Sequence, residues 1–286
     1  MCALAYINGV FCSPGEKQVC IEDRGYQFGD GVYEVIRAYG GHPFQLQAHL
    51  DRLWASAGAV GISINKSQPE MAGLVREILD RSRISEAQVY IQVSRGVAPR
   101  QHGFPPGIEP VLVMTVRPVP EAPSLLWEQG AAVITYPEIR WRYCYIKTIN
   151  LLPNAMAKSE AVKAGVQEAL FVREDGTVTE GSSTNVFMIK DKTVQTHPAN
   201  ERILHGITRG VVINICNAEK LKVIEKEFNL DQLLTADEVF ITGTNTEVMP
   251  IVKVNGRKIG EGIPGPITGL LYESYKKFVQ KEIFYG

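Results

Sequence analysis

Four parts of this sequence could do chemistry: one lysine, one acid and two glycine–hydroxyl pairs. Lys147 follows Tyr145-Ile146 and precedes Thr148-Ile149. A lysine facing a core is costly unless it is paired or used covalently. Desolvation lowers its pKa and makes the amine a nucleophile. On pattern alone, a lysine turned outward to water is the favoured reading. Glu180 stands in Thr177-Val178-Thr179-Glu180-Gly181-Ser182-Ser183-Thr184-Asn185, an acid followed by small hydroxyl residues. Such a turn can bring backbone N–H groups and one carboxylate to a ligand; a plain polar hairpin end fits about as well. Gly206-Ile207-Thr208 and Gly243-Thr244-Asn245-Thr246 pair glycine with hydroxyls at element boundaries. A helix N-terminus offers free N–H donors and positive dipole to a phosphate, although Thr208 could equally be a simple N-cap and Gly243 a simple turn.

These residues need elements to position them. Asn8-Gly9 between Ala5-Tyr6-Ile7 and Val10-Phe11 predicts a hairpin. The turn-rich Gly25–Gly31 leads into a strand over Val32–Tyr39, with Tyr33 and Val35 on one face and Glu34 and Ile36 on the other. Leu46, Leu50, Leu53 and Ala57 recur at helical spacing, and a second helix is expected over Met71–Arg81. Strands are expected at Val89–Ser94 and Val111–Val116, joined by a loop from Arg95 to Pro110. Pro118, Pro120 and Pro123 exclude helix and central strand. They mark a linker between domains of about 1–119 and 120–286.

In the second part, strands are expected at Ala131–Tyr136, Tyr145–Thr148, Ala169–Arg173, Thr177–Thr179, Asn185–Ile189 and Val239–Thr242. Helices are expected at Asn154–Ala164, Thr208–Ala218 and Ile267–Ile283. Helices and strands mix in both halves, and many strands have hairpin connections, so the class is α+β rather than a doubly wound parallel sheet.

The bulk composition sets the outer limits. The chain has 286 residues, 45% of them hydrophobic, enough for a real core. Thirty basic and thirty-one acidic residues give a net charge of -1. That balance attracts no polyanion, which argues against nucleic-acid and membrane-surface roles. Cys2, Cys12, Cys20, Cys144 and Cys216 are scattered, with no C-x-x-C pair. They read as free thiols in a reducing cytoplasm, not as a disulfide framework or zinc site. No basic segment with a long apolar stretch opens the chain, so no signal peptide is expected, and no apolar run is long enough to span a bilayer. His42, His49, His197 and His205 form no metal-ligand set and are expected to be structural.

The order of several motifs adds a resemblance. They are Tyr26-Gln27-Phe28-Gly29-Asp30-Gly31-Val32-Tyr33-Glu34, His49-Leu50-Asp51-Arg52-Leu53 and Ile146-Lys147-Thr148-Ile149-Asn150-Leu151-Leu152. Then come Thr179 to Phe187 and Leu204-His205-Gly206-Ile207-Thr208-Arg209. Over nearly its whole length the chain resembles the class IV aminotransferases, the fold type IV group of pyridoxal 5'-phosphate enzymes. Ser94-Arg95-Gly96-Val97-Ala98-Pro99-Arg100-Gln101-His102, with Ile139-Arg140-Trp141, is most similar to the branch acting on D-amino acids.

The resemblance implies a two-domain fold: a small α/β domain, then a larger cofactor-binding domain with an antiparallel or mixed, barrel-like sheet and helices. It implies that Lys147 carries the cofactor as an aldimine and shuttles the proton at the substrate Cα. Glu180 would meet the pyridine nitrogen and keep it protonated. Arg52 would bind the phosphate with its planar fork, joined by Ile207, Thr208 and Thr244. Ser183 and Leu204 complete the cofactor-binding set. Tyr33, Arg100 and His102 would hold the substrate carboxylate, with Val35 beside them, and the loop would come from the neighbouring subunit of a homodimer. Serine is common in that branch at the place of Gly243, so one hydroxyl contact is missing here.

The expected reaction moves the amino group of D-amino acids, D-alanine above all, to 2-oxoacids such as 2-oxoglutarate. Amino transfer from branched-chain L-amino acids or (R)-amines is the nearest alternative; Val35 and the Arg100/His102 loop argue against it, because the branched-chain enzymes usually show glycine after the acid matching Glu34. A pyridoxal-phosphate lyase resembling aminodeoxychorismate lyase is another. A non-catalytic relative is disfavoured by the joint presence of Lys147, Glu180 and Arg52.

Overall fold

Hydrophobic alternation in the first third of the chain produces one antiparallel sheet with helices on a single face. In the computed structural model, which describes residues 4–16, 18–119 and 125–285, the chain divides into two compact units. One comprises Met1–Pro120, Ile146–Asn150 and Glu282–Gly286; the other comprises Glu121–Tyr145 and Leu151–Lys281.

The first unit contains β1 (Leu4–Ile7), β2 (Val10–Cys12), α1 (Arg24–Phe28), β3 (Gly31–Tyr39), β4 (His42–Pro43), α2 (Leu46–Ala59), α3 (Gln68–Ser82), β5 (Ala87–Ser94) and β6 (Val111–Pro118). Its strands run in the order β2-β1-β6-β5-β3-β4, every neighbour antiparallel. Val32, Ile36, Val89, Ile91, Met114 and Val116 face a core filled by Leu50, Leu53, Met71, Val75 and Ile78 from the two helices. Asn8 and Gly9 both take positive φ, as the β1–β2 hairpin requires. Ser67 and Glu70 form a reciprocal capping box at the start of α3.

The second unit contains α4 (Leu125–Gln129), β7 (Ala131–Pro137), α5 (Leu152–Lys163), β8 (Glu168–Val172), β9 (Thr177–Gly181), β10 (Asn185–Lys190), β11 (Thr193–Thr196), α6 (Ile207–Ala218), β12 (Lys222–Glu225), β13 (Phe228–Asn229), α7 (Leu230–Leu234), β14 (Glu238–Gly243), β15 (Glu247–Val254), β16 (Arg257–Lys258) and α8 (Pro266–Tyr285). Its ten-stranded sheet runs β12-β11-β10-β14-β15-β7-β8-β9-β13, with β16 on β15. The pairs β11/β12, β15/β7 and β7/β8 are parallel and the rest antiparallel. The α+β expectation holds, with a mixed sheet in the larger unit. Among the described residues, no helix is long and apolar enough to cross a membrane.

Three expectations need revision. Tyr145–Thr148 is not a strand: it is irregular, with one isolated bridge from Thr148 to Val32. Ile146–Asn150 belongs to the first unit. The reason is backbone pairing to β3: Tyr33 N–H donates to Lys147 O at 3.0 Å and Ile149 N–H to Gly31 O at 3.1 Å. The turn-rich stretch before β3 contains the short helix α1, capped by Asp23 at its start and by left-handed Gly29 at its end. Of the proline linker, Pro118 ends β6, whereas Pro120 and Pro123 lie outside the described residues.

Candidate active site

Lys147 is fixed by its backbone from two sides. Its N–H donates to the buried Ser56 Oγ on α2 at 3.1 Å, and its carbonyl accepts from Tyr33 on β3. Asn150 Nδ2 donates to Gly29 O at 2.8 Å. Gly31 makes this approach possible, because a Cβ there would lie 2.9 Å from both Ile149 Cδ1 and Val93 O. The side chain is half-buried, and its Nζ sits 4.4 Å from the centroid of the Tyr33 ring. No carboxylate pairs with this amine among the described residues. A lysine held in this way is kept available, not spent on an ion pair.

Behind β3 lies a buried acid. Glu34 alternates to the core side with Ile36 and is fully buried. Arg52 Nε donates to its Oε1 at 2.6 Å and Arg52 Nη2 to its Oε2 at 2.9 Å; His49 Nδ1 lies 2.8 Å from Oε2. Burial alone would raise the Glu34 pKa, but the charge and hydrogen bonds of Arg52, with those of His49, outweigh it and hold the carboxyl far below its usual range. Burial drives His49 the other way for a base, below its ordinary value, against the pull of Glu34. His49 and Arg52 stand one turn apart on α2, so a single helix face delivers both to one carboxylate. Arg52 therefore faces Glu34 with two of its nitrogens.

The open face of the first sheet carries Tyr33 and Val35. Val35, Gln88, Tyr90, Thr115 and Arg117 line a cleft of about 270 Å³. Tyr90 donates to Gln92 Oε1 at 2.7 Å, and burial pushes its phenol up to about 12. Arg100 and His102 are exposed on the β5–β6 loop; Arg100 lies 4.5 Å over the Phe28 ring and His102 is 5.9 Å from it. Neither is bonded to Tyr33 among the described residues. The loop is anchored by other residues. Buried Arg24 donates to Asp30 and to Gln101 O, and Arg95 donates to Asp30, Val60 O and Gly61 O. Of the arginines in the R-G-x-x-x-R-x-H pattern, Arg95 is thus structural and Arg100 is presented to the surroundings.

The second unit supplies the acid and the anion cradle. Glu180, at the end of β9, is buried; its Oε2 accepts from Asn185 Nδ2 and Leu204 N–H, each at 3.0 Å, and its Oε1 from Arg140 Nη1 at 2.5 Å. Burial pushes its pKa up, against the pull of Arg140. Ser183 is exposed and bonded through Oγ and N–H to buried Glu168, which also accepts from Ser182 and Thr184 and so shapes the turn. Gly206 is the N-cap of α6 and has no side chain to cap it, and among the described residues no side-chain acceptor meets the N–H groups of Ile207 and Thr208. Thr244 lies in the β14–β15 turn, half-buried. At Gly243 a Cβ would meet Ser183 O and Thr184 Cγ2 at 3.4 Å, ordinary contact, so a serine there would fit.

Each unit taken by itself suits pyridoxal phosphate. One holds an amine with no carboxylate partner. The other holds a helix start for a phosphate and a carboxylate whose bonded partners among the described residues all donate. Motif reading missed Ser56, Glu168 and Glu138, and it named Arg140 and Asn185 only as parts of motifs, with no role for either. The available signal was an acid on the core side of β3: a buried carboxylate demands partners, and His49 and Arg52 are the nearest candidates on a helix.

The comparisons agree with this chemistry. The family model for amino-transferase class IV matches residues 31–254. A D-alanine aminotransferase of Bacillus licheniformis is 44% identical over 261 residues, 91% of this chain and 92% of the relative. A D-alanine aminotransferase of Staphylococcus epidermidis is 43% identical over 276 residues, 96% and 97% of the two chains. Among solved structures, the branched-chain amino acid aminotransferase of Escherichia coli superposes with a TM-score of 0.90 at 25% identity, covering 98% of this chain and 95% of that one. A second branched-chain amino acid aminotransferase, solved with pyridoxamine 5'-phosphate, gives a TM-score of 0.90 at 29% identity, covering 98% and 94%. With an available lysine, a donor-ringed acid and a family match spanning most of its length, this chain belongs to the class IV aminotransferases, enzymes that work with pyridoxal 5'-phosphate.

Proposed function

We propose that the protein transfers the amino group of D-amino acids, D-alanine among them, to 2-oxoacids such as 2-oxoglutarate. The observation that carries this reading is the similarity to D-alanine aminotransferases at 43–44% identity over more than nine-tenths of the chain. When bound, pyridoxal phosphate supplies an aldehyde for amines and a ring that accepts the electron pair left behind at Cα. Lys147 Nζ would hold it and would take and return the Cα proton. Glu180 would accept from the ring nitrogen. Arg52, Ile207, Thr208 and Thr244 would hold the phosphate, with Ser183 and Leu204 beside the ring. Tyr33, Arg100 and His102 would fix the substrate carboxylate, and Val35 would border its side chain. Stereochemistry then follows from position: once the carboxylate is fixed and Cα–H points to Lys147, only one enantiomer places its side chain in free space.

A cytoplasmic homodimer belongs to the same reading. Arg100 and His102 are exposed and uncoupled from Tyr33, as expected of residues that serve a neighbouring subunit. Cys12, Cys20, Cys144 and Cys216 are unpaired, as suits a reducing compartment. A domain division near residue 119, with Ile146–Asn150 returned to the first domain, completes it. Action on branched-chain L-amino acids is the second reading, favoured by the names of the superposed structures. The half-reaction spectrum separates the two. Without any oxoacid, D-alanine should bleach the long-wavelength absorbance of the cofactor-loaded protein while L-alanine and L-leucine leave it unchanged. Bleaching by L-leucine alone would reverse the assignment.

A further inference from the structure

Glu180 does not stand alone. Arg140 lies just beyond β7 and its guanidinium packs 4.1 Å over the ring of Phe171 on β8. Its Nε and Nη2 donate to Glu138 Oε1 and Oε2 at 2.8 and 2.6 Å, a two-point hold, while Nη1 donates to Glu180 Oε1. Thr179 Oγ1 closes the group by donating to Glu138 Oε2 at 2.8 Å. The three charged side chains are nearly buried, at 7%, 13% and 6% exposure for Arg140, Glu138 and Glu180.

Two consequences follow from donor chemistry. First, the partners of Glu180 (a guanidinium, an amide NH2 and a backbone N–H) can only donate, so they fit the ionised carboxylate and not the acid. A carboxylate has about four acceptor sites; three are used here, and the site left over is on Oε1. Second, the bonded cluster has two carboxylates and one guanidinium, a net charge of -1. The neighbouring Cys144 thiol does not change this, since burial pushes it up to about 12. Arg202 acts on that thiol but is bonded to neither carboxylate among the described residues.

We propose that Arg140 is a positioning residue for the cofactor: anchored by Glu138 and Phe171, it fixes Glu180 as an aimed carboxylate, and the cluster's one unmatched negative charge is completed by a protonated ring nitrogen. This rests on the role given to Glu180 above. Arg140 touches neither substrate nor reacting atoms; it acts through Glu180. Arg140 offsets part of the burial that raises the Glu180 pKa; without its cation the carboxyl would take a proton at higher pH still, and the ring nitrogen would lose its acceptor.

The test reads cofactor retention, not turnover: the dissociation constant of pyridoxal phosphate by equilibrium dialysis of the loaded protein across neutral to mildly acidic pH. Wild type should hold the cofactor with little pH dependence. Arg140→Leu should weaken it about 10-fold or more, the scale of a lost charge-assisted bond, and the loss should grow as the pH falls. Arg140→Lys, which keeps the cation, should restore the flat profile. In a Glu180→Gln background Arg140→Leu should add no further loss, since coupled residues are not additive. If Arg140→Leu does not fold, Glu138→Gln carries the test: it removes one negative charge without touching Glu180, and should also weaken retention. Equal losses from Arg140→Leu with and without Glu180→Gln would overturn the proposal, as would unchanged retention in Glu138→Gln. A wild-type protein that takes up no pyridoxal phosphate would overturn the parent reading and this inference together; normal uptake with unaffected variants would overturn this inference alone.

Discussion

Single side chains in this protein divide into those held available and those consumed by structure. Lys147 is held available: its backbone is bonded to Ser56 and Tyr33 while its amine lies over the Tyr33 ring and forms no ion pair among the described residues. Lys147→Ala should therefore leave folding intact and lower turnover by ~10³-fold or more, the scale of a lost proton-transfer group. Single-turnover kinetics with D-alanine would check it, and residual activity within a few-fold of wild type would remove Lys147 from the chemistry. Arg100, exposed over Phe28, makes no ion pair among the described residues. Arg100→Ala should raise the KM for D-alanine by roughly 10- to 100-fold, the value of a charged hydrogen bond, with little change in melting temperature. Arg95 differs despite its place in the same loop: its three bonds to Asp30, Val60 and Gly61 make it a support.

At the scale of elements, the loop between β5 and β6 needs a glycine at its start as well as the anchors Arg24 and Arg95. Gly96 has φ +120, and a Cβ there would fall 2.0 Å from Glu109 O. Gly96→Ala would need both a strained backbone and a shift of that carbonyl, at about 1–3 kcal/mol. The expected result is a lower melting temperature and a larger loss of substrate affinity than of cofactor affinity. A variant with unchanged KM would show that the loop's shape is not needed for binding. The helix α2 has a comparable economy. Its apolar stripe of Leu46, Leu50 and Leu53 seals the core, while His49 and Arg52, on the flank of that stripe, meet Glu34 and Ser56 meets Lys147. One helix thus builds the core and the support for the site.

For the molecule as a whole, buried titratable groups set the acid limb of stability. His49 has a folded pKa below its ordinary 6.5 because burial disfavours its charge. As the pH drops below that value, the unfolded chain takes a proton that the folded protein refuses, so stability falls. Glu34 acts in the same sense lower down: its folded pKa is far below 4.5, and its contribution is lost as acid protonates the unfolded carboxyl first. The melting temperature should therefore decline from pH 7 toward 5 and decline again below 4.5. His49→Gln should flatten the upper part of this decline, at ~1.4 kcal/mol for each unit by which the pKa was depressed. Buried His197, also pushed down, should keep some slope in that variant. Parallel wild-type and variant curves would show that His49 does not titrate in this range.

The sequence by itself determined the periodicities and therefore most elements: the face alternation of β3, the stripe of α2 and the Asn8-Gly9 hairpin all follow from local sterics and burial. Ordered motifs likewise singled out Lys147, Glu180 and Arg52, because type and spacing survive in one dimension. Only the tertiary structure decided what those residues touch. Apolar flanks suggested a strand around Lys147, yet the segment is irregular and is held by backbone bonds to β3, more than a hundred positions earlier. Glu180 read as an acid in a hydroxyl-rich turn, yet it belongs to a cluster with Glu138 and Arg140, some forty positions earlier. Pairings over such distances depend on which strands become neighbours, a property of the packed sheet that no local pattern encodes.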